Sequence, residues 1–179
     1  MLKPDDTIQV IIDVQGKLAT LMHQREQLYR NLEILIRGIR VLELPILWLE
    51  QHPEGLGPTI PEIADLLMDL KPLPKLSFSA CGQDDFLENL RTSGRQQILL
   101  AGIETHVCVY QTARDLLEQD YHVEVVVDAT SSRTPENKQV GLDKMACAGA
   151  GMSSVEIALF ELLGTADAPQ FKEILRLLK

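Results

Sequence analysis

A chain of 179 residues with 45% hydrophobic and 24% charged side chains suits one globular domain, 1–179, built around a single core, and excludes a disordered chain. Its formal net charge of −9 argues against nucleic acid or an anionic membrane as partner, because both require a basic patch. No apolar run approaches the roughly 20 residues needed to cross a bilayer, and the start, MLKPDDTIQV, lacks the basic-then-apolar pattern of a signal peptide, so a cytoplasmic protein is expected.

From Thr7 the run TIQVIIDV predicts a strand, almost wholly apolar as parallel strands buried on both faces are, and it ends on Asp13. Gln15 and Gly16 open a loop. Leu28, Leu32, Leu35, Ile36, Ile39 and Leu42 recur at helical intervals and predict a long helix that stops before Pro45. PILWLEQ predicts a second strand, and HPEGLGPT, with two prolines and two glycines, an ordered loop beyond its C-terminal end. Ile60, Ile63, Leu66, Leu67 and Leu70, with Thr59 as N-cap and Pro61 in the first turn, predict a short helix ending at Lys71. KPLPKLSFSA, with prolines at 72 and 74, reads as extended and irregular, and leads into a small helix around Phe86, Leu87 and Leu90.

The stretch from Gln97 to Leu117, QILLAGIETHVCVYQTARDLL, reads as a buried strand, a turn and a helix, the last from the spacing of Val109, Tyr110, Ala113, Leu116 and Leu117. HVEVVVDATSS predicts another apolar strand that ends in Asp128 and small polar residues. Thr134 as cap and Pro135 at the first position start a helix to about Cys147. AGAGMSSVEI has room for one more short strand before a helix through Ala158, Phe160 and Leu162. A last helix, after Asp167 and Pro169, buries Phe171, Ile174, Leu175 and Leu178. Such alternation, with strands too apolar to face water, predicts an α/β fold whose parallel sheet is covered by helices on both faces.

In open α/β sheets ligands bind at the carboxyl ends of the strands, where strand order reverses. That rule selects Asp13, Gln51, His52, Cys108 and Asp128, although polar residues at strand ends also cap helices and turns. Cys108 falls just inside the strand-to-helix junction, where unpaired N–H groups and the helix dipole favour an anion. Its thiol is therefore expected to ionise more readily than a free one, whose pKa is about 8.5; the other reading is a small buried hydrophobe. A nucleophilic thiol needs a base, donors for the oxyanion and often a positive charge. Asp13 can be the base, the backbone N–H groups of Glu104 and Cys108 the oxyanion hole, and Lys75 the cation, though a lysine near an exposed turn is ordinarily a solvated charge.

Cysteines at 81, 108 and 147 are an odd number with no CxxC pair, which argues against a disulfide framework and a redox role. The histidines at 23, 52, 106 and 122 form no HxH or HExxH pattern, and GxGxxG and P-loop sequences are absent, so no metal and no cofactor are expected.

The blocks IIDVQ, LEQHPEGLGPT, PKLSFSA, LLAGIETHVCVYQTA and VVVDATSSRTPEN, in that order, resemble the isochorismatase-like cysteine hydrolases. With GAGMSSVE and PQFKEILRLLK the similarity spans nearly the whole chain. The resemblance implies a three-layer α/β/α, Rossmann-type fold with a parallel sheet of about six strands, and a catalytic triad on Asp13, Lys75 and Cys108. Members with the cysteine hydrolyse amides such as nicotinamide or carbamoyl compounds through a thioester, whereas isochorismatases proper cleave a vinyl ether and lack it; Cys108 points to the amidase-like branch. A non-proline cis peptide at Ile103–Glu104 and a homo-oligomer, to which FKEILRLLK could contribute, are also implied.

Nicotinamidases carry an aspartate and two histidines as metal ligands, beginning in a DxH after the second strand, where this chain has Glu50, Gln51, His52 and Pro53. Nicotinamide itself is therefore in doubt as the substrate. The expectation is a cysteine-dependent hydrolase of the C–N bond of a small amide or carbamoyl compound, with Gln15, Gln51 and Phe78 in the substrate pocket. The alternative is a catalytically silent ligand-binding or interaction protein of the same fold.

Overall fold

The computed structural model describes all 179 residues, Met1–Lys179. Six strands form one sheet, β1 (Thr7–Ile12), β2 (Ile46–Gln51), β3 (Leu73–Lys75), β4 (Gln97–Ile103), β5 (His122–Ser131) and β6 (Gly151–Ser153), in the order β3-β2-β1-β4-β5-β6 with every pairing parallel. The helices are α1 (Gly16–Thr20), α2 (Arg25–Val41), α3 (Pro53–Leu56), α4 (Pro61–Ala64), α5 (Asp84–Ser93), α6 (Tyr110–Leu117), α7 (Pro135–Cys147), α8 (Val155–Leu163) and α9 (Phe171–Leu177). None of them is long and apolar enough to cross a membrane.

Both faces of the sheet are covered because both faces of its strands are apolar. Ile8, Val10 and Ile12 of β1 pack with Ile98, Leu100, Val123 and Val125 against α5, α6 and α7. The intervening Ile11 joins Trp48, Leu99, Ala101 and Val126 against α2, α8 and α9. Each fully buried aliphatic side chain contributes roughly 1.5–3 kcal/mol relative to exposure, so a slip of one residue, which exchanges the faces, is strongly opposed.

Several elements depart from the sequence expectation. KPLPKLSFSA contains the edge strand β3, in which Leu73, Pro74 and Lys75 pair with Leu49, Glu50 and Gln51. A proline, which cannot donate to a ladder, is tolerated at an edge, so the prolines did not forbid a strand. Gly16 starts a short helix rather than only a loop. The helix expected from Thr59 to Lys71 shortens to α4, capped at Ile60. Thr59 is diverted from capping: its N–H and hydroxyl both donate to Glu50 Oε1, at 2.6 and 2.8 Å. β5 runs past Asp128 to Ser131, because its register against β4 shifts between Leu100 and Gly102 and the extra residues bulge out. The helix from Pro135 to Cys147 forms as expected, with Thr134 Oγ1 accepting from Asn137 N.

The strand order reverses at β1, which lies between β2 and β4. The helix leaving β1 towards β2 covers one face, and the helix leaving β4 towards β5 covers the other, so a crevice opens between the carboxyl ends of β1 and β4. Gly102 makes the two strands meet there. It sits at φ +120, and a Cβ on it would lie 2.1 Å from the carbonyl oxygen of Ile12.

Candidate active site

Asp13 follows β1 in the left-handed conformation, φ 52, which aspartate tolerates better than most residues. Its N–H donates to Leu49 O across to β2. Lys75 ends β3, and its side chain is wholly buried. The ammonium donates to Asp13 Oδ2 at 2.7 Å, Gln51 Oε1 at 2.7 Å, Phe78 O at 3.0 Å and Ser77 O at 3.2 Å. An ammonium has three hydrogens, so these acceptors engage all of them. Pairing with Asp13 explains how a lysine, a residue almost never buried alone, is kept inside.

Cys108 lies in a π-helical turn, Thr105–Val109, between β4 and α6, and the peptide bond that leads into the turn, Ile103–Glu104, is cis as the resemblance implied. The carbonyl of Glu104 accepts from both Val107 N and Val109 N. Helix α7 clamps the turn from outside: a Cβ on Gly141 would stand 2.8 Å from the backbone N and Cα of His106. Only glycine permits that approach. His106 Nδ1 lies 3.0 Å from Ser132 Oγ, and Arg133 Nε donates to Glu104 Oε2 at 3.1 Å, which ties the turn to the end of β5.

The thiol does not have the depressed pKa expected of a strand-to-helix junction. Burial, and then the negative charge of Asp13, push Cys108 up to about 12, against the opposing pull of Lys75. The cysteine is inside a tight turn packed beneath α7, so the loss of solvent outweighs the helix dipole. Burial likewise raises the Asp13 carboxyl above its ordinary range, with Lys75 acting in the opposite sense. Asp13 Oδ1 is buried without a hydrogen-bond partner, and Cys108 Sγ lies 4.0 Å from Gln51 Oε1.

A cavity of about 110 Å³ stands over these groups, lined by Asp13, Leu18, Gln51, Leu56, Phe78, Ile103, Glu104, Val107 and Cys108. The structure thus brings together Asp13, Gln51, Phe78, Glu104 and Cys108, with Lys75 bonded behind Asp13 and Gln51. Gln15 is placed differently from the expectation. It is fully buried, and its amide is committed to backbone: Nε2 donates to Gly57 O and Gln51 O, and Oε1 accepts from Gln51 N at 2.6 Å. It braces the 52–59 loop instead of lining the cavity, helped by the backbone bonds Gly16 N to Pro58 O and Ile60 N to Val14 O. His52 lines a separate depression of about 520 Å³ that contains neither Asp13 nor Cys108. Asp128 stays at β5, where its Oδ1 accepts from Val155 N at the start of α8.

Leu18, Leu56 and Val107 are wall residues that sequence reasoning did not single out; nor did it foresee that Glu50, outside the wall, anchors Thr59. Leu56 had a signal, as an apolar residue inside a glycine- and proline-rich loop at a strand end; Leu18 had none. No group of three or more histidine, cysteine, aspartate or glutamate side chains is arranged to hold a metal ion.

These features define a Rossmann-type α/β protein with a buried aspartate–lysine–cysteine cluster at the switch point of its sheet. Residues 7–157 match the isochorismatase domain, and the chain belongs to the isochorismatase family. It is 39% identical to isochorismatase domain-containing protein 2 of Pongo abelii over 180 residues, covering 98% of this chain and 84% of that protein. Among solved structures it is similar to the MAR1 ribonuclease of Caenorhabditis elegans, with 34% identity, coverage of 99% of this chain and 91% of that one, and a TM-score of 0.91. YcaC from Pseudomonas aeruginosa, solved with hexane-2,5-diol and covalent acrylamide, is 25% identical, with coverage of 97% and 89% and a TM-score of 0.91.

Proposed function

We propose that this protein is a cysteine-dependent hydrolase that cleaves the C–N bond of a small amide or carbamoyl compound through a thioester on Cys108. The observation that carries the reading is the convergence of a buried carboxylate–ammonium pair and a thiol on one small cavity. The covalent acrylamide in YcaC, of the kind a nucleophilic side chain forms by adding to the activated alkene, supports a reactive nucleophile in a protein of the same fold.

A thiol raised to about 12 keeps its proton at rest, so deprotonation accompanies attack instead of preceding it. Asp13 accepts the Sγ proton as sulfur bonds to the carbonyl carbon, and the carbonyl electron pair moves onto oxygen. The N–H groups of Glu104 and Cys108 receive that oxyanion. Lys75, 2.7 Å from Asp13 Oδ2, fixes the carboxylate and balances its charge. The tetrahedral intermediate collapses, the C–N bond breaks, and Asp13 returns the proton to the leaving nitrogen. Water, deprotonated by Asp13, then attacks the thioester, which releases the carboxylic acid and restores the thiol.

The C. elegans relative is named a ribonuclease, which makes RNA cleavage the second reading. The net charge of −9 opposes it, as does a cavity of about 110 Å³, below the roughly 300 Å³ of ordinary ligand pockets. Assembly into a homo-oligomer belongs to the same proposal, supported by the exposed apolar side chains Met68, Leu76 and Val140 and testable by light scattering.

Purified protein screened against small amides, ureides and carbamoyl compounds should release ammonia and show a Cys108 acyl adduct by mass spectrometry. Cys108→Ala should lower turnover by about 10³-fold or more. Undiminished turnover in that variant ends the proposal, and a fold without turnover of any such compound returns the protein to a silent binding role.

A further inference from the structure

We infer that the cavity over Cys108 selects an uncharged amide with a compact apolar acyl group and rejects amides that also carry a carboxylate. The inference specifies the substrate class of the site and rests on the hydrolase reading above, but its electrostatic part can be tested without turnover.

Beyond the N–H groups assigned to the oxyanion, the side-chain walls offer no cation to a second anionic group. Leu18, Leu56, Phe78, Ile103 and Val107 surround the entry with hydrocarbon. Lys75 lies behind Asp13 and Gln51, outside the lining, and its three hydrogens are already divided among Asp13, Gln51 and the carbonyls of Ser77 and Phe78. Arg133, the other nearby cation, gives its Nε and its backbone N–H to Glu104 Oε2, and its side chain is 56% exposed. An entering carboxylate would shed its water into apolar surroundings, find no free cation and approach the Asp13 carboxylate.

The floor asks for a hydrogen-bond donor. Asp13 lines the cavity, and its buried Oδ1 has no partner. A carboxamide N–H can satisfy that oxygen, whereas an ionised carboxylate has only acceptors. Both observations point to a neutral N–H-bearing ligand. Size agrees: a cavity of about 110 Å³, small beside the roughly 300 Å³ and more of ordinary ligand pockets, suits a short acyl chain.

Iodoacetamide and iodoacetate, nearly equal in size but differing by one negative charge, probe the cavity directly. Their alkylation rates at Cys108 and at the exposed Cys147, measured peptide by peptide in the intact protein, give two amide-to-acid ratios, the second correcting for intrinsic reactivity. The ratio at Cys108 should exceed that at Cys147 by about tenfold or more. Phe78→Arg, at the half-exposed rim, should bring it down towards the Cys147 value. Equal ratios, or a lower one at Cys108, overturn the inference. In turnover, butyramide should be hydrolysed and succinamate, its carboxylate-bearing counterpart, should not. Hydrolysis of both at similar rates refutes neutral selection and leaves the hydrolase reading standing. A high alkylation ratio with no amide hydrolysed removes the hydrolase reading and leaves neutral selection standing.

Discussion

Asp13 and Asp128 look alike in sequence, each following an apolar β-branched run, yet they meet opposite fates in the structure. Asp13 is buried at the crevice between β1 and β4, where it holds Lys75 and raises the pKa of Cys108. Asp128 lies in β5, away from any reversal of strand order, and accepts from Val155 N at the start of α8 while its carbonyl accepts from Asn31 Nδ2. A carboxylate that follows an apolar strand thus faces a cavity only where the connections on either side diverge and leave space above it. Elsewhere it is a cap.

The largest consequence of this contrast concerns stability. Asp13→Asn leaves a buried ammonium without its counter-charge and should cost about 3–5 kcal/mol in urea unfolding. The double variant Asp13→Asn, Lys75→Met should recover most of that loss while remaining inactive, since neither charge is then stranded. Near-wild-type stability of the single variant would show that the pair is not held as described. A smaller loss is expected where α7 meets the turn of Cys108. Gly141→Ala forces a methyl against the His106 backbone and should cost about 1–3 kcal/mol, with a fall in kcat because the turn that presents the thiol must shift.

The proposed role of Asp13 as base also carries a pH signature. Burial raises its carboxyl above the ordinary value of 3.8, and only the ionised form can accept the thiol proton. Activity should fall tenfold per unit, or about 1.4 kcal/mol, as pH drops below a midpoint above 3.8, measured as kcat/KM against pH. The smallest effect belongs to Asp128. Asp128→Ala removes one acceptor at a helix start and should cost about 0.5–2 kcal/mol with no change in kcat/KM.

Much of the fold was legible because it is written locally. Four long apolar strands, the 28–42 periodicity of α2 and the Thr134-Pro135 start of α7 are short-range patterns, and they appear as read. β3 was missed because its prolines argue against a strand by propensity, and only its pairing with β2 at the sheet edge overrides them. Of the site, Cys108 at a strand-to-helix junction and Asp13 at a strand end could be read from spacing, but Lys75 could not. Its neighbours in the chain, Pro74 and Leu76, say nothing about Asp13, 62 residues away.

By itself, then, the sequence determined the alternation of strands and helices, the burial of both sheet faces and the position of the cysteine after β4, since these depend on periodicity and composition within a few residues. The tertiary structure alone decided which polar groups came together at the cavity. Edge pairing delivered Lys75 to Asp13, Gln15 was drawn into bracing the 52–59 loop, and Leu18 and Leu56 became walls. The thiol that local position suggested would ionise readily is instead pushed up by burial. Charge and hydrogen-bond energies depend on desolvation and on partners brought in from distant parts of the chain, and those are set only when the sheet has closed its order around β1.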